Sequence, residues 1–169
     1  MARIAIADGM APAAIELLKS AGHEVVNQPI DATELLEGAG KCLGLIGFGR
    51  IAQGVGVVAQ SMGMEVHAYD PYLPPKIAKS QNTTMHKSID TLFKNCTHIS
   101  IHCNLTDETH HLVNAERMAM MPGKSRDGIK CGNHIVNCAR GGIIDEEALL
   151  QSLESGAISS AALDVFESA

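Results

Sequence analysis

Short apolar runs alternate with helix-like patterns along almost the whole chain. Residues 3–7, 24–26, 42–46, 65–69, 97–102, 134–138 and 160–166 read as strands. Between them, residues 12–21, 32–37 and 50–62 carry helical periodicity, as do the stretches following Ser88, Asn114 and Asp145. Those three residues are suited to cap helices running to about 95, 121 and 155, with Gly156 past the end of the last. Pro12 near a first turn and Gly22 just beyond mark the limits of the first helix. Pro71, Pro74 and Pro75 break the chain after the fourth strand. Strand and helix in strict alternation predict a parallel sheet with crossover helices.

The run Gly38-Ala39-Gly40 reads as a joint, dividing the chain into 1–38 and 39–169. Two short strands and two helices in the first part are too little to bury a core alone. At 46% hydrophobic and 19% charged residues, the chain is too apolar to be disordered. Thirteen Lys and Arg against nineteen Asp and Glu leave a net charge of −6, which argues against general binding to nucleic acid or anionic lipid. No apolar run is long enough to span a membrane, and Asp8 comes too early for a signal-peptide core, so a cytoplasmic protein is expected. The five cysteines are odd in number and lack C-x-x-C spacing, which favours reduced thiols. Among eight histidines, His98 and His102 lie four apart on a strand, and His110 and His111 are adjacent in a polar turn; neither spacing suits zinc, and no metal site is expected.

Gly47-Phe48-Gly49-Arg50-Ile51-Ala52 fits G-x-G-x-x-G/A between a strand and a helix, the context that the motif requires. Gly47 permits the tight turn, Gly49 lets a pyrophosphate approach the backbone, and Ala52 lets the helix lie against the sheet. The helix start then offers free N–H groups to phosphate. Asp70, 21 residues beyond Gly49 at the end of the next strand, can accept hydrogen bonds from ribose hydroxyls and repel a 2′-phosphate, favouring NAD over NADP. Its bland alternative is a turn former ahead of Pro71. Gly54 and Gly56 sit inside the helix, each costing about 1 kcal/mol relative to Ala unless packing compensates.

LGLIGFGRIA, the strand-end Asp70, VNCARGGIIDEEAL and AALDVF together resemble the cofactor domain of the D-isomer-specific 2-hydroxyacid dehydrogenases over residues 44–166. The opening MARIAIADGM…IELLKSAGHEVV is similar to family members acting on D-3-phosphoglycerate in serine biosynthesis. The resemblance implies an α/β fold: a Rossmann doubly wound parallel sheet, lacking its last strand, with a remnant N-terminal βαβα segment. It implies NAD as cofactor, with a hydride passing between C2 of a 2-hydroxy acid and the nicotinamide. Gly47, Gly49 and the amides of Arg50 and Ile51 would meet the pyrophosphate, and Asp70 the ribose. Cys103 would lie beside the cofactor, with Cys138, Ala139 and Arg140 at its nicotinamide end. Asp164 would take the carboxamide, and Arg140 would bind the substrate carboxylate as the retained catalytic residue. Structural alternatives stand beside these: Arg140 bonding backbone carbonyls, and Asp164 as a buried acid within its strand, partnered by a neighbouring loop.

The departures from the family are as informative. Asn104 stands where proline is usual, and Ala169 where the catalytic glutamate is expected. No histidine occupies the position of the family's base, and the substrate loop and dimerising arm have no counterpart between the two parts. The chain as it stands is therefore expected to bind NAD with little turnover, a homo-oligomer remaining open. The alternative is a non-catalytic NAD-binding or sensing module.

Overall fold

The computed structural model describes residues 3–5, 16, 19–20, 22, 24–26 and 40–167. The chain divides into two compact units, Met1–Glu37 and Gly38–Ala169. In the first, β1 (Arg3–Ala5) pairs in parallel with β2 (Glu24–Val26), Arg3 opposite Glu24. Glu16, Lys19 and Ser20 are helical, within the expected helix 12–21. The expected helix 32–37 and residues 38–39 of the joint lie outside the described residues.

The second unit is a six-stranded parallel sheet. Its strands are β3 (Cys42–Ile46), β4 (Glu65–Tyr69), β5 (Thr84–Met85), β6 (His98–Ile101), β7 (His134–Asn137) and β8 (Ser160–Leu163). Their spatial order is β5-β4-β3-β6-β7-β8. The order therefore reverses at β3, the point at which α/β sheets of the doubly wound kind open a crevice at their carboxyl edge. The crossovers are α1 (Arg50–Ser61), α2 (Pro75–Ser80), α3 (Ile89–Asn95), α4 (Ala115–Ala119) and α5 (Glu146–Glu154).

β3 is buried along its whole length, as a central strand covered on both faces must be. Its Leu43 and Leu45 pack with Phe48, Ala52, Ala59 and Val66 on one side; Ile46 joins Phe93, Ile99 and Ile101 on the other. Full burial of each such large side chain stabilises by about 1.5–3 kcal/mol. On α1, residues 52, 55, 56 and 59 turn inward at helical spacing. Gly56 is buried there, with the positions of Val66 and Leu45 leaving room for little more than a methyl group. Gly54 faces open space and has no such reason.

Ser88, Asn114 and Asp145 cap α3, α4 and α5, each accepting from the backbone N–H three residues on. Two elements depart from the sequence reading. The proline-rich break contains α2, begun by Pro75 at its first turn, where a missing N–H costs nothing. β5 adds an edge strand of two residues, too short to show periodicity. The last strand ends at Leu163, so Asp164 is not a buried acid inside it: the residue is exposed, just past the strand, with its N–H still bonded to Asn137 O (3.0 Å).

Candidate functional site

The turn leaving β3 carries the first part of the site. Gly47 has φ 82°, and a Cβ there would meet His102 O at 2.9 Å, so glycine is required on two counts. Gly49 is the N-cap of α1, has nothing within 4 Å of where its Cβ would stand, and leaves the helix without a side-chain cap. The first amides of a twelve-residue helix thus point outward with no carboxylate in the first turn. Arg50 and Ile51 are exposed beside them.

Asp70 follows β4 at the same edge. Its Oδ2 accepts from Phe48 N–H at 2.9 Å and its Oδ1 from Tyr72 N–H at 2.9 Å. The carboxylate therefore braces the glycine turn and shapes the turn ahead of it. About half of its acceptor positions remain open to a hydroxyl.

Gly47, Gly49 and Asp70 line a cavity of about 360 Å³ together with His102, Cys103 and Asn104. Burial pushes the His102 imidazole down and the Cys103 thiol up, so both are neutral walls. Tyr72 was not singled out in the sequence; its hydroxyl donates to Glu108 Oε2 (3.0 Å) and links the turn after Asp70 to the loop 104–110. That hydrogen bond raises the Tyr72 phenol above its ordinary range.

Arg140 lines a second cavity with Leu105, His110, Gly141, Gly142, Phe166 and Glu167. The loop 104–110 contributes to both cavities. One Arg140 N–H donates to the adjacent Ala139 carbonyl (2.6 Å), the bland contact, and the side chain is otherwise exposed. Arg50, Ile51, Cys138, Ala139 and Asp164 line neither cavity.

Three features here escaped the sequence reading. Asn137, buried at the end of β7, accepts from Ala139 N–H (3.0 Å) and donates to Arg140 O (2.9 Å), so one amide clamps the turn that carries Arg140. A polar residue ending an apolar strand was its only signal. Glu167 Oε1 lies 2.6 Å from His111 Nε2, and the His110 ring stacks on His111 with centroids 4.0 Å apart. Gly141 admits the Phe166 carbonyl where any Cβ would collide.

The arrangement has the parts a dinucleotide needs: uncapped amides with open space above them, a carboxylate with spare acceptor positions, and a second cavity, bordered by the same loop 104–110, that holds a guanidinium. Comparison with known proteins agrees. The chain is 44% identical over 128 residues to D-3-phosphoglycerate dehydrogenase from Methanocaldococcus jannaschii, covering 76% of this chain and 23% of that protein. It is 46% identical over 128 residues to hydroxypyruvate reductase from Thermotoga maritima, covering 76% and 38%. The chain thus spans about a quarter to two fifths of these relatives' length. Among solved structures, D-lactate dehydrogenase from Aquifex aeolicus complexed with NAD and lactic acid superimposes with a TM-score of 0.69 and 33% identity, over 91% of this chain and 42% of that one. With the family's sequence model matching residues 10–169, the chain belongs to the D-isomer specific 2-hydroxyacid dehydrogenases, through their NAD binding domain.

Proposed function

We propose that this chain holds NAD along the carboxyl edge of its sheet for hydride transfer on a D-2-hydroxy acid, with D-3-phosphoglycerate the first substrate to test. The observation that carries the reading is the uncapped start of α1 and Asp70 on one cavity, with Arg140 on the next. The amides of Arg50 and Ile51 bind the pyrophosphate, Gly47 and Gly49 keep the backbone close to it, and Asp70 receives the ribose hydroxyls. Cys103, Cys138 and Ala139 flank the cofactor, and Asp164 accepts from the carboxamide. Bound there, NAD supplies the hydride acceptor or donor. Arg140 orients the acid by pairing its planar fork with the substrate carboxylate, using N–H groups that Ala139 O does not occupy. The phosphoglycerate assignment draws on the first 26 residues and on the relatives that carry that name.

The test is titration of the purified 169-residue chain with NADH and NADPH, followed by oxidation assays on D-3-phosphoglycerate and D-lactate. We expect NADH to bind in preference to NADPH, with turnover near background, since general-base assistance is worth roughly 10²–10⁴-fold. Asp70→Ala should weaken NADH and narrow its preference over NADPH. A carboxylate that only braced the Phe48 turn would leave that preference unmoved. Failure to bind NADH at millimolar concentration would overturn the reading. Binding without turnover on any 2-hydroxy acid, even after the chain is joined to a family catalytic segment, would favour a non-catalytic NAD-binding module.

A further inference from the structure

At the opposite edge of the sheet a second cluster of chemically active side chains gathers, unrelated to the NAD crevice. Cys42 opens β3, and its register partner on β4 is Glu65. Two residues on, Gly44 is paired with His67. Side chains two apart share a face, so Cys42, Glu65 and His67 all rise on the side covered by α3. Cys96, the C-cap of α3, comes down onto that face directly over Gly44, where a Cβ would stand 3.0 Å from the Cys96 sulfur. The two sulfurs are 3.1 Å apart, and Cys42 Sγ, Cys96 Sγ and a His67 ring nitrogen all lie within 4.8 Å of one another. Glu65 Oε2 stands 3.8 Å from His67 Nε2.

The surrounding hydrogen bonds determine which His67 nitrogen is free. The single Thr91 hydroxyl proton goes to Ser88 O (2.7 Å), so Thr91 Oγ1 receives the His86 Nδ1 proton at 3.1 Å. His86 Nε2 is then an acceptor, and takes the proton of His67 Nδ1 at 2.8 Å. In neutral His67 the nitrogen left without a proton is then Nε2, 3.8 Å from Glu65 Oε2. A ligating histidine is held in this way, its other nitrogen bonded to a fixed partner.

We propose that Cys42, Cys96 and His67, completed by Glu65, form a binding site for a thiophilic divalent cation, zinc above others. Soft sulfur, imidazole and one carboxylate are the donor types zinc takes in tetrahedral sites. Tetrahedral bonds of about 2.3 Å to sulfur require sulfurs roughly 3.8 Å apart, so the pair opens by well under 1 Å on binding. The charges close as well. Both thiols release a proton to solvent as the two Zn–S bonds form, and the two thiolates neutralise the dication. The Glu65 charge is met by Arg126, which donates to Oε1 at 2.8 Å and leaves Oε2 for the metal. Cys42 and Cys96 are buried while Glu65 is partly exposed, so the ion enters from the Glu65 side. Once bound it ties β3, β4 and α3 together at the margin of the core cluster to which Cys42 and Cys96 belong.

The experiment uses the full chain under reducing conditions, titrated with Zn²⁺ alone and with Co²⁺ as a spectroscopic probe. One equivalent of Zn²⁺ should bind, Tm should rise by several degrees, and Co²⁺ should give the thiolate-to-cobalt charge-transfer band. Cys42→Ser with Cys96→Ser should abolish that band, and His67→Asn should weaken uptake at least tenfold. His111→Ala should leave uptake unchanged, which separates this site from the cluster of His110, His111 and Glu167. The Co²⁺ spectrum of the unaltered chain needs no variant to fold. Absence of the charge-transfer band there, or Zn²⁺ uptake that survives the double cysteine variant, would overturn the proposal. So would a Cys42–Cys96 disulfide that persists in reductant and excludes metal.

Discussion

At its carboxyl end, β3 presents backbone. Gly47 turns with a positive φ, Gly49 leaves open space, and the first amides of α1 have no side-chain cap. At its amino end the same strand presents side chains, with Cys42, His67 and Cys96 converging on one face and Glu65 beside His67. The contrast follows from the direction of a parallel sheet. Every helix starts near the carboxyl edge, so N–H groups gather there and suit anions. Every helix ends near the amino edge, so a residue closing a helix, such as Cys96, is laid against residues opening the strands. In the readings proposed above, one edge binds through what glycine omits, the other through what cysteine and histidine supply.

Substitutions at the two ends should therefore fail differently. The largest effect is expected for Gly44→Val, whose added carbons would meet Ile99 and Cys96 at 3.1 Å or less. Overpacking here should cost about 3 kcal/mol in urea denaturation, with little change in NADH affinity for the fraction that stays folded. Asn137→Ala should come next. It strips the partners of Ala139 N–H and Arg140 O, costing about 2 kcal/mol, and should weaken binding of a 2-hydroxy acid more than binding of NADH, both read by calorimetry. Gly49→Val tests the other end. Nothing lies near its Cβ, so denaturation should move by less than about 0.5 kcal/mol. NADH affinity should nonetheless fall at least tenfold, about 1.4 kcal/mol, by calorimetry. Unchanged affinity in Gly49→Val would remove backbone approach from the account.

The smallest effect is a pH dependence at the amino edge. His98 begins β6 and its ring lies 4.5 Å from that of His134, its partner on β7. Burial, then the His134 and Lys41 charges, depress His98 to about 4. The unfolded chain takes up a proton near pH 6.5 that the folded chain refuses until about pH 4. Stability is therefore full above pH 6.5 and lost as pH falls through that window. Partial solvation of the ring reduces the loss to about 1 kcal/mol, read from denaturation at pH 7 and pH 4.5. His98→Asn should flatten it.

How much of this was readable beforehand differs between the same two edges. Gly47, Gly49 and Ala52 lie within six residues, and their spacing states what the backbone must do, so the glycine turn was legible. Asp70 was legible as a strand-end acid, though not its hold on the Phe48 and Tyr72 amides, which depends on how close two loops come. Asp164 was misplaced because an apolar run reads the same whether or not its last residues stay within a strand. Asn137 and Glu167 carry no spacing signal, and their roles come from the turn each reaches. Metal ligands were sought by their spacing along the chain, which does not group Cys42, His67 and Cys96. Strand register brings His67 beside Cys42, and the end of α3 brings Cys96 onto them.

The sequence by itself determined the alternation of strands and helices, the glycine turn, the caps at Ser88, Asn114 and Asp145, and the family. These are properties of neighbouring residues, governed by local sterics and by hydrogen bonds within a few positions. The tertiary structure alone decided the strand order, the pairing of Cys42 with Glu65 and Gly44 with His67, and the seating of Cys96 over Gly44. Those depend on the parallel register between strands distant in the chain, which no local pattern encodes.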